Sequence, residues 1–264
     1  MMTDDKAAAT LYGLGLGPGD PELMTLKAHR ILREVPVIAY PAPDSGDSFA
    51  RHIAAPYLPG GQTEVPIVIP MRVERFPARN VYDRVSAELS GHLDAGRDVA
   101  VLCEGDPFFY GSFMYLFERM TGNHPCVVVP GVTSMTACAA AVARPLAARN
   151  DALAVIPAPL PDDQIIARLE RAEAIVIIKV GRHFNRIKHL LTRLALVENA
   201  AWCERVSLDQ ERVAPLSAVA FDETGGIAPY FSMIIVYRGE EPAIRTIGSP
   251  HGAFLKPAKG SDDG

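Results

Sequence analysis

Short runs of apolar, often β-branched residues alternate along the chain with stretches whose apolar positions recur every three or four residues. These are the periods of strand and helix. Thr10–Leu16 reads as a first strand, Pro21–Glu34 as a helix and Pro36–Tyr40 as a second strand. In Val81–Ala95 the residues Val81, Val85, Leu89 and Leu93 share one helical face, and Gly96 ends the run. Asp98–Cys103 is almost wholly apolar, the pattern of a strand covered on both faces. A helix over Phe108–Met120, a strand over Cys126–Val129 and a small-residue helix over Ser134–Ala143 follow. Strand, helix and strand recur, which predicts an α/β domain with a largely parallel sheet.

Pro145–Asp151 (PLAARND) reads as a linker, and a second series starts after it. Strands are expected at Ala152–Ile156, Ala174–Val180, Ala201–Val206 and Phe231–Tyr237, with helices at Asp162–Ala172 and Asn185–Leu196. The expected organisation is two α/β domains, 1–146 and 147–250, followed by a flexible tail over 251–264. Two domains in one chain leave a cleft, a common place for a ligand.

Composition narrows the possibilities. The chain is 48% hydrophobic and 22% charged, with 31 acidic and 26 basic residues giving a net charge of −5. No overall basic field exists to hold a nucleic-acid backbone. Apolar runs such as Ala174–Ile178 fall far short of a membrane span, and residues 1–10 do not resemble a signal peptide. Four cysteines stand apart without a CxxC pair, as expected of free thiols in a reducing cytoplasm. Among the seven histidines no ligand spacing occurs, so no protein-bound metal is expected. The 22 prolines and 21 glycines, without low complexity, imply many short elements joined by tight turns.

Three of those Gly/Pro clusters follow predicted strands: Gly13–Asp20 (GLGLGPGD), Glu104–Pro107 (EGDP) and Pro130–Ser134 (PGVTS). In open α/β sheets ligands bind beyond the carboxyl ends of strands, where glycine lets backbone approach closely. Asp20 and Asp106 also suit helix N-caps, with Pro21 and Pro107 at the first helical position. A dinucleotide fits poorly. A GxGxxG frame starting at Gly13 or Gly15 meets Pro18 or Asp20 where glycine is needed, and no Walker lysine follows any of the loops. Asp20, Glu104 and Asp106 put carboxylates on the loops, which favours a cationic or neutral ligand over a polyphosphate.

The three clusters, taken in order, are similar to the signatures of the tetrapyrrole methylases. Gly13–Thr25 (GLGLGPGDPELMT) resembles the family's opening motif, Val101–Gly111 (VLCEGDPFFYG) its second and Val128–Ala137 (VVPGVTSMTA) its third. Ile38–Pro41, Phe108–Ser112, Lys179–Arg182 and Pro229–Ser232 are most similar to the members that methylate precorrin-2 at C-20. The resemblance covers about residues 10–240. It implies two α/β domains with a cofactor cleft between them, a cytoplasmic homodimer, and S-adenosyl-L-methionine as methyl donor. It also implies that precorrin-2 is converted to precorrin-3A on the route to cobalamin. The implied cofactor residues are Gly17, Pro18, Glu104, Gly105, Asp106, Phe109, Thr133 and Ser134, with Val180, Val206 and Ser232 from the second domain. Two departures stand out: Glu104 where many relatives carry glycine, and Val180 where methionine is frequent.

Displacement at a sulfonium methyl needs alignment more than a protein nucleophile. A base must take the C-20 proton, and Asp106 is the candidate nearest the inferred methyl. The substrate's carboxylates call for local cations despite the net charge. Arg72, Arg75, Arg79, Lys179 and Arg182 are candidates, since arginine binds carboxylates bidentately, with Arg72 and Arg182 preferred for sitting near loop starts close to strand ends. Alternatives are the cobalt-loaded substrate cobalt-factor II, another substrate such as uroporphyrinogen III or a protein, and a non-catalytic tetrapyrrole carrier.

Overall fold

The computed structural model describes residues 8–68, 77–221, 227–241 and 244. The chain divides into two compact units, Met1–Ser134 and Met135–Gly264, each built on its own five-stranded sheet.

In the first unit β1 (Leu11–Gly15), β2 (Val37–Ala42), β3 (Thr63–Val68), β4 (Val99–Cys103) and β5 (Cys126–Val129) are all parallel, in the order β3-β2-β4-β1-β5. Their helices are α1 (Leu26–Glu34), α2 (Phe49–Ala54), α3 (Pro77–Asp94) and α4 (Phe113–Met120). Alternation along the strands splits the apolar residues between two cores. Leu11, Val99 and Val101 pack with Val85, Leu89, Phe113 and Leu116 of α3 and α4. Leu14, Ala100 and Leu102 pack instead with Ala28, Ile31, Ala50 and Ile53 of α1 and α2. The loop after β1 therefore leads to a helix on one face, and the loop after neighbouring β4 to a helix on the other. Strand order reverses there, which makes the carboxyl edge beside β1 and β4 a topological switch point.

Several expected boundaries shift. The helix expected from Pro21 is a 3-10 turn, Pro21–Leu23, capped by the Asp20 carboxylate. The chain then extends through Met24 and Thr25, and Thr25 caps the separate helix α1 by accepting from the Ala28 amide at 3.2 Å. Helix α4 begins at Phe113 rather than Phe108, because Tyr110 lies in the left-handed region (φ 56°). Helix α2 and strand β3 fall in a stretch where sequence reading expects no regular element.

In the second unit β6 (Leu153–Pro157), β7 (Ala174–Ile178), β8 (Ala200–Glu204), β9 (Arg212–Pro215) and β10 (Ser232–Tyr237) form a mixed sheet, β6-β7-β10-β8-β9. β10 runs antiparallel to both its neighbours. One face packs Ile175, Ile177, Trp202 and Ile234 against helices α6 (Asp162–Leu169) and α7 (Phe184–Arg193). The other packs Val176, Ala201, Cys203 and Ile235 against Ala137, Cys138 and Val142. Ala137 and Cys138 belong to helix α5 (Ser134–Ala141), so a helix that the sequence reading places before the linker joins the second core. The expected tail, 251–264, lies outside the described residues.

Candidate functional site

At the carboxyl edge of the first sheet, the loops after β1, β4 and β5 interlock through their backbones. Gly17 and Gly105 form a bridge: the Gly105 amide donates to the Gly17 carbonyl at 2.7 Å and the Gly17 amide to the Gly105 carbonyl at 3.2 Å. Gly131 packs against both other loops. A β-carbon there would strike the Gly105 carbonyl, and one on Gly15 would lie 2.5 Å from the Gly131 nitrogen. Gly105 itself adopts a left-handed backbone (φ 64°). Strand ends this close admit only glycine.

Asp106 completes the lock. One carboxylate oxygen accepts the Phe108 amide at 2.9 Å and the other accepts the Gly131 amide at 3.0 Å. The helix-capping role that its Gly-Asp-Pro setting suggests is thus not realised. Asp106 shapes the second loop and ties it to the third. Glu104, the first residue after β4, turns its half-buried carboxyl to the Ala50 amide in the first turn of α2. Burial pushes this carboxyl above its ordinary range, and the Ala50 hydrogen bond opposes the shift in part. The adjoining Cys103 thiol is driven up by its own burial and by the Glu104 and Asp106 carboxylates. Phe109 packs edge-on against Tyr110, while Phe108 and Tyr110 remain about half exposed, 51% and 49%.

The expected contacts of the second unit share one edge of its sheet. Because β7 and β8 both run against β10, their carboxyl ends lie with the amino end of β10. Val180 is fully buried and opens a 3-10 turn in which the His183 amide donates to the Val180 carbonyl at 2.6 Å. Val206 follows β8, where the Arg205 amide donates to the Phe231 carbonyl at 2.9 Å. Ser232 is opposite Glu204 in the ladder, and its hydroxyl donates to the Pro229 carbonyl at 2.6 Å. Lys179 and Arg182 are exposed at this edge, and the Arg182 Nε donates to His183 Nε2 at 3.4 Å. Burial first, then Arg186 and Arg182, hold the His183 imidazole below its ordinary pKa.

Gly17, Gly105 and Asp106 are therefore brought into contact, with Pro18 and Phe109 adjoining them and Thr133 and Ser134 two and three places beyond Gly131. Arg72 and Arg75 lie outside the described residues. The sequence reading does not imply the Gly15–Gly105–Gly131 contact; its only signal there is a glycine at or just beyond the end of each of three strands. Among the described residues no group of three or more His, Cys, Asp or Glu could hold a metal ion, and no helix is long and apolar enough to cross a membrane.

Comparison with known proteins agrees with this arrangement. The model of the Tetrapyrrole (Corrin/Porphyrin) Methylases matches residues 10–220. Cobalamin biosynthesis protein CobIJ of Mycobacterium tuberculosis is 43% identical over 249 residues, 91% of this chain and 48% of that protein. The chain thus spans about half the length of the first curated relatives it matches. The precorrin-2 C(20)-methyltransferase of Sinorhizobium sp is 36% identical, covering 86% of this chain and 94% of that one. The cobalt-precorrin-2 C(20)-methyltransferase of Salmonella typhimurium is also 36% identical, covering 88% and 98%. A crystal structure of uroporphyrin-III C-methyltransferase from Thermus thermophilus, complexed with S-adenyl homocysteine, superposes with a TM-score of 0.62. It is 26% identical, covering 90% of this chain and all of that one. The family match, the loop order and the two sheets agree: this chain belongs to the tetrapyrrole (corrin/porphyrin) methylases.

Proposed function

We propose that the protein is an S-adenosyl-L-methionine-dependent C-methyltransferase that converts precorrin-2 to precorrin-3A by methylation at C-20. The observation that carries this reading is the interlocked glycine edge at the switch point of the first sheet, together with its charge. Residues 16–20, 104–112 and 130–134 contain no lysine or arginine but include Asp20, Glu104 and Asp106. Bare backbone ringed by carboxylates suits a sulfonium cation and disfavours a pyrophosphate. When bound, the cofactor supplies an electrophilic methyl group.

The assigned cofactor contacts are Gly17, Pro18, Glu104, Gly105, Asp106, Phe109, Thr133 and Ser134, with Val180, Val206 and Ser232. The glycines let backbone meet the ligand, and Asp106 holds the second and third loops at fixed spacing. That rigidity serves alignment, from which well-oriented reactants can gain roughly 7–11 kcal/mol. Arg182 and Arg72 are assigned to the substrate carboxylates; the exposure of Arg182 at the second sheet's edge supports its part. The protein acts in this reading as a cytoplasmic homodimer in cobalamin synthesis, and light scattering of the purified chain tests the dimer.

Mass spectrometry of the product from precorrin-2 and cofactor is the direct test, with the gain of one methyl group expected at C-20. Recovery of unmodified precorrin-2 would overturn the reading. The equal identity of the Salmonella typhimurium relative favours one second reading, a cobalt-loaded substrate. Competition between metal-free and cobalt-loaded tetrapyrrole in one reaction decides between the two.

A further inference from the structure

Asp106 is poorly placed to receive a proton. Each of its carboxylate oxygens already accepts a backbone amide, Phe108 at 2.9 Å and Gly131 at 3.0 Å. Protonating it would weaken the bonds that hold two loops together. Glu104 differs in each respect. It stands immediately after β4 at the switch point, its carboxyl is half-buried, and the one backbone amide it accepts is that of Ala50. Among the described residues no lysine, arginine or histidine forms an ion pair with it. Arg51, the nearest cation in sequence to Ala50 on α2, is instead held by Glu64 at 2.9 Å. Cys103, the last residue of β4, feels both the Glu104 and the Asp106 carboxylates. The loop after β1 brings Asp20, engaged with the Glu22 amide at 2.8 Å. A carboxylate without a cation partner, partly withdrawn from water, is more basic than an exposed one.

We infer that Glu104, not Asp106, accepts the proton released from C-20 during methylation. The inference rests on the function proposed above. The step balances as follows: a bond forms between C-20 and the methyl carbon, the methyl carbon–sulfur bond breaks with its electron pair left on sulfur, and the C-20 proton passes to a Glu104 oxygen. The C–H pair returns to the conjugated system of the macrocycle. Glu104 then passes its proton to solvent, for which its half-exposed position suffices. Asp106 becomes a positioning residue.

The test uses the full chain and its Glu104→Gln, Glu104→Asp and Asp106→Asn variants, with precorrin-2 carrying hydrogen or deuterium at C-20. Calorimetry with S-adenosylhomocysteine and thermal unfolding are run on each variant. For Glu104→Gln we expect kcat to fall about 10²- to 10³-fold. KM for precorrin-2 should stay within about twofold of wild type, S-adenosylhomocysteine affinity, to which Glu104 contributes as a cofactor contact, should fall far less than kcat, and a deuterium isotope effect should appear as proton removal becomes limiting. Glu104→Asp should recover part of the rate. Wild-type turnover by Glu104→Gln would overturn the assignment while leaving the methylation reading intact. So would a rate loss wholly accounted for by weakened S-adenosylhomocysteine binding, or an isotope effect unmasked by Asp106→Asn alone. Failure of the wild-type chain to methylate precorrin-2 would remove the methylation reading and this assignment together.

Discussion

The two sheets solve the same problem at their candidate-site edges by opposite means. In the first unit the loops close on one another through Gly15, Gly105 and Gly131: a β-carbon on Gly15 or Gly131 would strike neighbouring backbone, and Gly105 takes a left-handed backbone. In the second unit the turns that leave the strands at the corresponding edge also need left-handed backbone, yet they place Lys179 (φ 57°), Arg205 (φ 45°) and Ser207 (φ 69°) there. Such a conformation costs an L-residue roughly 1–2 kcal/mol. Hydrogen bonds offset the cost, from the Arg205 amide to the Phe231 carbonyl at 2.9 Å and from the Ser207 amide to the Glu211 carboxylate at 2.8 Å. At the first edge space is limiting, so side chains are excluded. At the second, side chains with cationic and polar groups are kept and the strain is tolerated.

Substitutions at the two edges should therefore differ sharply in effect. The largest is expected from Gly131→Ala, whose new methyl group meets the Gly105 carbonyl backbone, which has no rotamer with which to yield. Overpacking of this kind costs about 1–3 kcal/mol. Calorimetry should show S-adenosylhomocysteine binding reduced well beyond about tenfold, and ordinary affinity in this variant would break the comparison. Next is Asp106→Ala, which removes both charge-assisted tethers. Thermal unfolding should show a loss of about 2 kcal/mol, below the roughly 3 kcal/mol minimum for two buried charge-assisted bonds because the site is half-exposed, with Asp106→Asn in between.

A smaller effect with a distinctive pH dependence is expected of Glu104→Gln. Burial raises the folded-state pKa of Glu104 above its ordinary 4.5, so the unfolded chain ionises this group at lower pH than the folded one. The resulting penalty is absent below pH 4.5 and builds as pH rises through the raised value. Glu104→Gln should thus melt above wild type at neutral pH and with it at low pH. A difference constant across that range would discount burial as the cause. The smallest change is expected from Lys179→Gly, where relief of the left-handed strain and the greater freedom of glycine when unfolded nearly cancel. Its stability should lie within about 1 kcal/mol of wild type. A loss as large as that of Gly131→Ala would show that the second edge is as crowded as the first.

Strands with unbroken β-branched runs were legible in the sequence, and so was the parallel character of the first sheet. β4 and β7 are buried along their whole length and look it. β3 is hard to read from the sequence, because Pro66 interrupts it and Thr63, Glu64, Pro66 and Val68 are exposed. β9 escaped for a related reason, being four residues at a sheet edge that end in Pro215. The candidate site divides in the same way. Its loops were readable from glycine spacing, since close backbone approach demands glycine. The partners of Asp106 and Glu104 were not, since each depends on a tertiary neighbour: Gly131 lies 25 positions from Asp106, and Ala50 belongs to a helix with no clear periodic signal.

The placement of β1 bears on how the chain comes into being. It leaves the ribosome before the other described strands, yet it pairs with neither β2 nor β3; Leu11 finds its partners in Val99 of β4 and Cys126 of β5. Until most of the first unit has been translated, Leu11, Leu14 and Leu16 have no sheet to enter. Contacts so distant along the chain slow folding and leave apolar surface open to chaperones and to aggregation. The glycine lock closes only after Gly131 has emerged, so a nascent chain halted short of that residue could carry the first two signature loops and still be unable to assemble the edge on which they act.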